Sequence, residues 1–144
     1  MKHLRKFNEN ILPYYLVSKD ITDFCEMYLA YLVDDGFNIS YQPGNQNSKA
    51  KGGPVTYVTI CFNKTHNRPV VTFSGDEIED RFIPFVHMLN KNYEILDIII
   101  FNKNEQDPHR YIEYKPTIEE ILNGEIGFKE IVQINIKVKL DFKV

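Results

Sequence analysis

The sequence lacks an excess of positive charge, a long apolar run and a cysteine framework. Its 17 lysines and arginines are outnumbered by 20 acidic residues, which gives a formal net charge of -3 at pH 7. Because nonspecific affinity for nucleic acids comes from clustered Lys and Arg, this balance disfavours a polyanion as the main partner. A local basic patch could still bind one. No run of about 18 apolar residues is present, so we expect no membrane span. The first ten residues are polar and charged, and we expect no secretory signal there.

The two cysteines, Cys25 and Cys61, both occupy apolar positions, one in a predicted helix and one in a predicted strand. Such positions are typical of reduced core residues in a cytosolic protein. With 43% hydrophobic residues over 144 positions, the chain can bury one proper core. We therefore expect a single domain over residues 1–144, with residues 1–17 as an extended N-terminal arm.

The most regular pattern lies at the C-terminal end, where apolar and polar residues alternate from Val132 to Val144. Period two predicts one β-strand with an apolar face and a polar face. At about 3.3 Å per residue such a strand runs for roughly 40 Å, which is long for a small domain. The alternation assigns Ile134, Ile136 and Val138 to the core and turns Asn135, Lys137 and Lys139 toward water or a partner.

The sequence predicts two main helices before this strand. Ser18 or Asp20 can cap a first helix with an i, i+3, i+4 apolar stripe, and Gly36 fits its left-handed stop. Ser74 caps a second helix that continues to about Asn92.

Further strands are predicted at residues 37–41, 55–62, 70–73, 95–101 and 110–114, and a capping box at Thr117 starts a short helix. The first two strands form a hairpin whose Gly-, Asn-, Ser- and Lys-rich tip, residues 43–54, is expected to be mobile. Residues 95–101 are almost continuously apolar, which predicts a central strand covered on both faces. The predicted fold is α+β, an antiparallel sheet with two main helices packed on one face, in two similar helix-plus-strands halves.

Residue types that carry chemistry are present but scattered. Asp107, His109 and Glu113 could approach one another across a turn and strand and give a hard-ligand cluster for a divalent cation. Asp34 and Asp35 oppose the macrodipole at a helix C-terminus, and paired carboxylates can bind a metal or act as acid and base. Ordinary turn chemistry competes with both interpretations. A small metal-dependent hydrolase is therefore one alternative function, and no sequence signature predicts a cofactor.

Basic residues interleave with aromatic ones near the two predicted hairpin ends. Stacking rings beside phosphate-binding cations are what a single-strand binder needs, so a nucleotide or nucleic-acid binding protein is the other alternative. Neither a phosphate-binding loop spacing nor an RNP-like motif accompanies them. The candidate contacts in these segments are Lys49, Lys51, Lys64, His66 and Arg68.

The opening sequence MKHLRKFNE (residues 1–9), the helix end VDDGFN (residues 33–38) and a bias toward Lys, Asn and Ile occur together in the first quarter of the chain. These features resemble small uncharacterised proteins encoded by tailed bacteriophages. The resemblance implies action in the cytoplasm of an infected host or in the virion, as a virion component or a host-defence inhibitor. It implies no catalytic residues.

The sequence thus favours a non-enzymatic, phage-type accessory protein that binds another protein or itself, with nucleic acid as a weak partner and no membrane. An overlong strand supplies the physical reason, because strand edges recruit other strands unless they are protected. A sheet edge or the hairpin tip is the expected contact, and Lys137 and Lys139 are the candidate contacts on the terminal strand.

Overall fold

The structure is a computed structural model that describes residues 12–44, 57–64, 71–107, 109–125 and 130–140, with side chains described from Lys19 onward. Five strands form one sheet in the order β1-β2-β5-β3-β4, and every neighbouring pair is antiparallel. The α+β class predicted from the sequence is confirmed. Along the described chain the elements are α1 (Leu12–Asp34), β1 (Asn38–Gly44), β2 (Tyr57–Asn63), α2 (Gly75–Asn92), β3 (Glu94–Lys103), β4 (Tyr111–Tyr114), α3 (Ile118–Leu122) and β5 (Ile131–Lys139).

The C-terminal strand β5 is the centre of the sheet and is shorter than the sequence predicts. It ends at Lys139, and residues 141–144 lie outside the described part. Its ladder stops there because Lys139 pairs with Tyr57 and Glu94, the first residues of β2 and β3. Since strands flank β5 on both sides, its backbone is not the edge that we expected to recruit a partner.

Helix α1 begins at Leu12, before the predicted caps Ser18 and Asp20. Residues 12–17, expected in an extended arm, are therefore helical. Pro13 was the signal that we missed, because proline is favoured in the first turn of a helix.

The end of α1 follows the prediction. Gly36 has φ 97°, its N–H donates to the Val33 carbonyl (3.0 Å), and the N–H of Phe37 donates to the Leu32 carbonyl (3.0 Å). This pair of bonds is a Schellman motif, in which the left-handed glycine turns the chain and satisfies the last carbonyls of the helix.

The turn after α1 delivers Phe37 to a cluster of aromatic rings in the core. Phe37 stacks on Phe62 with ring centroids 4.7 Å apart, and Phe73 packs edge-on against Phe37 at 5.0 Å. Phe73 makes one isolated bridge with Ile131, so the third strand predicted at residues 70–73 is reduced to that pair in the described residues. Ser74 caps α2 directly after Phe73, so the extended segment cannot continue beyond that residue.

Helix α2 starts as predicted, with the Ser74 hydroxyl accepting the N–H of Glu77 at 3.3 Å. It continues through the exposed Pro84 to Asn92. Its apolar stripe is buried against α1 and the sheet, as residues spaced three and four apart require. That stripe consists of Ile78, Phe82, Phe85, Val86 and Leu89.

The alternation along each strand separates two faces of the sheet. The rows Phe62–Ile134–Ile100 and Ile60–Ile136–Ile98 lie side by side in register and join the buried cluster with α1 and α2. The predicted inward placement of Ile134, Ile136 and Val138 is confirmed.

On the opposite face, Ile99 and Phe101 of β3 are half-buried. The prediction that this strand is covered on both faces is therefore wrong for the described residues. The two predicted halves are also placed differently in the sheet. In the first half the strand next to β5 is the second strand, β2, whereas in the second half it is the first strand, β3.

Candidate functional site

Three of the predicted basic contacts lie in the described residues, and each has a partner there. Lys64 Nζ is 2.7 Å from Glu77 Oε1, and the same ammonium lies 5.3 Å from the centre of the Phe37 ring. Lys139 Nζ is 3.7 Å from Glu94 Oε2. The charge of each ammonium is thus balanced close by, which weakens the local positive field that a phosphate backbone needs.

Lys137 is the third of these residues and lies on the sheet face away from the helices. Its ammonium is 3.9 Å from the centre of the Tyr57 ring, a cation–π contact. The strand register places it beside Asp97 of β3. Lys49, Lys51, His66 and Arg68 lie outside the described residues, as does most of the hairpin tip.

Four side-chain amides form a hydrogen-bonded row across β1, β2 and β5 on that same face. Asn38 Nδ2 donates to Asn63 Oδ1 (3.5 Å), Asn63 Nδ2 to Gln133 Oε1 (3.2 Å), and Gln133 Nε2 to Asn135 Oδ1 (2.7 Å). The row crosses the strands because the register sets Asn38, Asn63 and Gln133 side by side. Since amides offer both donors and acceptors without charge, such a row can meet a protein surface without burying an ion.

The edge strand β4 is the most exposed strand of the sheet. Tyr111 and Ile112 keep 49% and 53% of their surface accessible, and as neighbours in a strand they point to opposite faces. Among the described residues, β4 pairs with β3 alone. A strand edge of this kind is a template for the backbone of another chain.

The other edge strand, β1, is less suited to strand addition. Its penultimate residue Pro43 has no N–H to donate. The Tyr57 ring lies against Gly44, so close that a Cβ added there would overlap it. β4 contains no proline within its four residues, although Pro108 and Pro116 flank the segment in sequence.

The end of β4 is fixed to the cap of α3 through one carboxylate. Glu120 Oε2 accepts a hydrogen bond from the Tyr114 hydroxyl at 2.5 Å, and Glu120 Oε1 accepts the N–H and the hydroxyl of Thr117 at 3.1 Å each. These bonds, first the one from Tyr114, hold the pKa of Glu120 below its usual range. The same hydrogen bond raises the pKa of Tyr114. The arrangement positions the edge strand.

The two thiols are buried and free, as predicted for core residues. Burial raises the pKa of Cys25 to about 12, although a hydrogen bond from the Tyr41 hydroxyl acts in the opposite direction. Burial also raises the pKa of Cys61, against a hydrogen bond from Ser40. A thiol with a raised pKa is a poor nucleophile, because the thiolate is the reactive form.

The carboxylates predicted to bind a metal do not converge. Asp107 Oδ1 accepts the N–H of His109 at 3.1 Å, and its Oδ2 lies 3.7 Å from Arg110 Nε, which is ordinary turn chemistry. Within the described ranges, no three His, Cys, Asp or Glu side chains form a group that could hold a metal ion. The described residues therefore do not form the cluster of Asp107, His109 and Glu113 that the sequence left open. Asp34 and Asp35 are exposed at the end of α1.

One depression of about 600 Å³ lies where α2 meets β3, bordered by Asn92, Tyr93, Glu94 and Lys139. It is open, and the ion pair between Glu94 and Lys139 lies at its border. Because these two opposite charges satisfy one another, neither Glu94 nor Lys139 is poised for acid–base work there.

Comparison of the chain with protein-family models, with curated proteins and with solved structures found no match. In the part of the chain that the structure describes, none of the helices combines the length and apolarity that a bilayer crossing requires.

The exposed pair on β4 and the amide row were missed at the sequence level. Two signals pointed to them. The segment RYIEY is bracketed by Pro108 and Pro116, which marks a short edge strand, and Gln133 and Asn135 alternate with buried residues on one strand.

Proposed function

We propose that this protein acts by binding another protein, which adds an extended segment to the free edge of β4. The observation that carries the proposal is the exposure of Tyr111 and Ile112 on a strand whose one neighbour in the described part of the sheet is β3. In strand addition, backbone hydrogen bonds supply affinity and alternate side chains supply specificity. Here Tyr111 and Glu113 face one side of the sheet and Ile112 the other.

The dimensions of β4 favour a short, defined partner segment. The strand has four residues, and Pro108 and Pro116 limit how far pairing can continue along the chain. Short edges bracketed by proline protect a sheet from open-ended aggregation. A peptide of similar length is the occupant that this edge fits.

The charges of the sheet favour a protein over a nucleic acid as the partner. Lys64 and Lys139 each form an ion pair with a carboxylate, and Lys137 lies over a tyrosine ring. With their ammonium groups engaged, these three lysines offer a phosphate backbone little uncompensated positive charge. On the sheet face away from the helices, the amide row and the half-buried Ile99 and Phe101 offer further contacts without charge.

In biological terms, we propose a non-enzymatic accessory protein of phage type, acting in an infected cell or in a virion. The resemblance of residues 1–38 to phage proteins supports this setting. The partner would then be a host-defence protein or a virion component.

The experiment is a pull-down with the full chain and two matched double variants. Tyr111→Thr with Ile112→Thr removes the apolar contacts of β4 and keeps residues that favour strands. Met27→Ser with Tyr31→Ser removes a still more exposed apolar pair, from α1, and serves as the control. We expect one partner to be captured by the wild type and the α1 variant and lost by the β4 variant. Equal capture by all three proteins would refute strand addition at β4.

A further inference from the structure

The outer face of α1 carries the most exposed apolar side chains of the described chain. Met27 and Tyr31 keep 66% and 61% of their surface accessible. They are four residues apart and therefore adjacent on one face of the helix. Six large hydrophobic residues are exposed in the described residues, and Met27 and Tyr31 are the two most exposed of them.

Acidic residues continue this face at both ends. Asp23 lies one turn before Met27, and Asp34 lies one turn after Tyr31, so the four side chains follow one helical stripe. Neither carboxylate forms an ion pair within the described residues. By contrast, the sheet residues Glu94 and Asp97 both pair with lysines.

The charge of the whole helical layer has the same sign. Helices α1, α2 and α3 together contain ten acidic and three basic residues, a net charge of -7, whereas the complete chain has a net charge of -3. Asp34 also lies at the helix C-terminus, where the macrodipole disfavours an acid. A cation placed against Asp34 would relieve that unfavourable interaction.

The ring of Tyr31 on this face already contacts a cation. The guanidinium of Arg81, from α2, lies 4.1 Å from the ring centroid. The ring thus already holds one cation, and Asp23 and Asp34 on the same stripe form no ion pair within the described residues, so these two carboxylates are the groups for a partner's basic side chains.

We propose that the outer face of α1 is a second binding surface, and that its occupant is a basic amphipathic helix of a partner protein. Apolar residues of that helix would cover Met27 and Tyr31. Its lysines or arginines, placed one turn to either side, would reach Asp23 and Asp34, because one helical turn spans about 5.4 Å on both helices. This surface is separate from β4 and does not depend on strand addition.

The test uses the full chain and a synthetic 18-residue amphipathic peptide of leucine and lysine, with a peptide in which glutamate replaces lysine as the control. Amide chemical shifts are followed by NMR, and affinities are measured by calorimetry at low and high salt. We expect the lysine peptide to shift amides of residues 19–35, to bind more weakly at high salt, and to leave the β4 amides unchanged. The glutamate peptide should not bind.

Three variants localise the binding. Met27→Ser with Tyr31→Ser, and separately Asp23→Asn with Asp34→Asn, should each weaken the lysine peptide by at least about tenfold. Tyr111→Thr with Ile112→Thr should bind like the wild type. The substituted side chains are exposed, and circular dichroism verifies that each variant is folded. Absence of binding by the wild type, shifts confined to other elements, or equal affinities for all variants would overturn the proposal.

Discussion

The hydroxyl of Tyr114 donates a 2.5 Å hydrogen bond to the carboxylate of Glu120, and this carboxylate also closes the capping box of α3. One side chain therefore joins the last residue of the edge strand to the first turn of the next helix. This contact fixes where β4 ends and keeps the strand against β3. The C-terminal end of the proposed binding edge is thus fixed by a contact between two residues that lie within one segment of seven residues.

The Tyr114–Glu120 contact predicts a pH response. Because the folded pKa of Glu120 is lowered, its stabilisation is fully present above the pKa of the unfolded chain, about 4.3, and is lost as the pH falls through the lower folded value. We expect the Tyr114 ring and the Thr117 amide to titrate together in NMR spectra, with a midpoint below that of an ordinary glutamate. The variant Glu120→Gln should abolish this titration. A midpoint at the ordinary value would show that the hydrogen bond is not formed in solution.

The two thiols should be unreactive in the folded protein. With a pKa of about 12, Cys25 is a thiolate in only roughly one molecule in 10,000 at pH 8, and Cys61 has a raised pKa as well. We expect no alkylation by iodoacetamide at pH 8 until denaturant unfolds the chain, after which both cysteines react. Mass spectrometry distinguishes the two sites, and rapid labelling of native Cys61 would contradict its burial.

The turn after α1 should depend on glycine at position 36. At φ 97° a Cβ is unfavourable, so Gly36→Ala should lower the free energy of unfolding by about 1–2 kcal/mol. The neighbouring Asp35→Ala is the matched control. It removes an acid from a helix C-terminus and should raise stability by a few tenths of a kcal/mol, on the order expected for the macrodipole. Urea denaturation measures both, and equal losses would argue against the left-handed turn.

Two substitutions within four residues of the central strand β5 should differ strongly in their effect on stability, because one side chain is in the core and the other on the surface. Ile136 is 1% exposed, so Ile136→Asp buries a charge without a partner and should cost more than about 4 kcal/mol, enough to unfold the domain. Lys139→Gln removes an exposed ion pair with Glu94 and should cost less than about 1 kcal/mol. Circular dichroism and thermal denaturation report both, and a folded Ile136→Asp protein would contradict the register of β5.

The fold was predictable from the sequence where local chemistry decides structure. Ser74, Thr117 and Gly36 set helix ends through hydrogen bonds to their own neighbours, and the structure has those ends where the sequence predicts them. The alternation in β5 likewise identified the buried Ile134 and Ile136, because a strand with one covered face shows its pattern directly.

The predictions that failed concern features that depend on contacts between residues distant in the sequence. The apolar alternation continues to Val144, but β5 ends where the first residues of β2 and β3 stop pairing with it. Likewise, the ion pairs of Lys64 and Lys139 and the exposure of Ile112 depend on which strands and helices become neighbours. The local pattern of residues does not contain that information, so the candidate site was predicted less well than the fold.

The proposed function requires that a partner adds a strand to β4. Hydrogen exchange of the full chain, free and in complex with the partner captured in the pull-down, tests it most directly. Strand addition predicts that the complex gains amide protection within Tyr111, Ile112 and Glu113, with β1 and β5 unchanged. Protection gained only at other segments, with these three amides exchanging as in the free protein, would contradict the account.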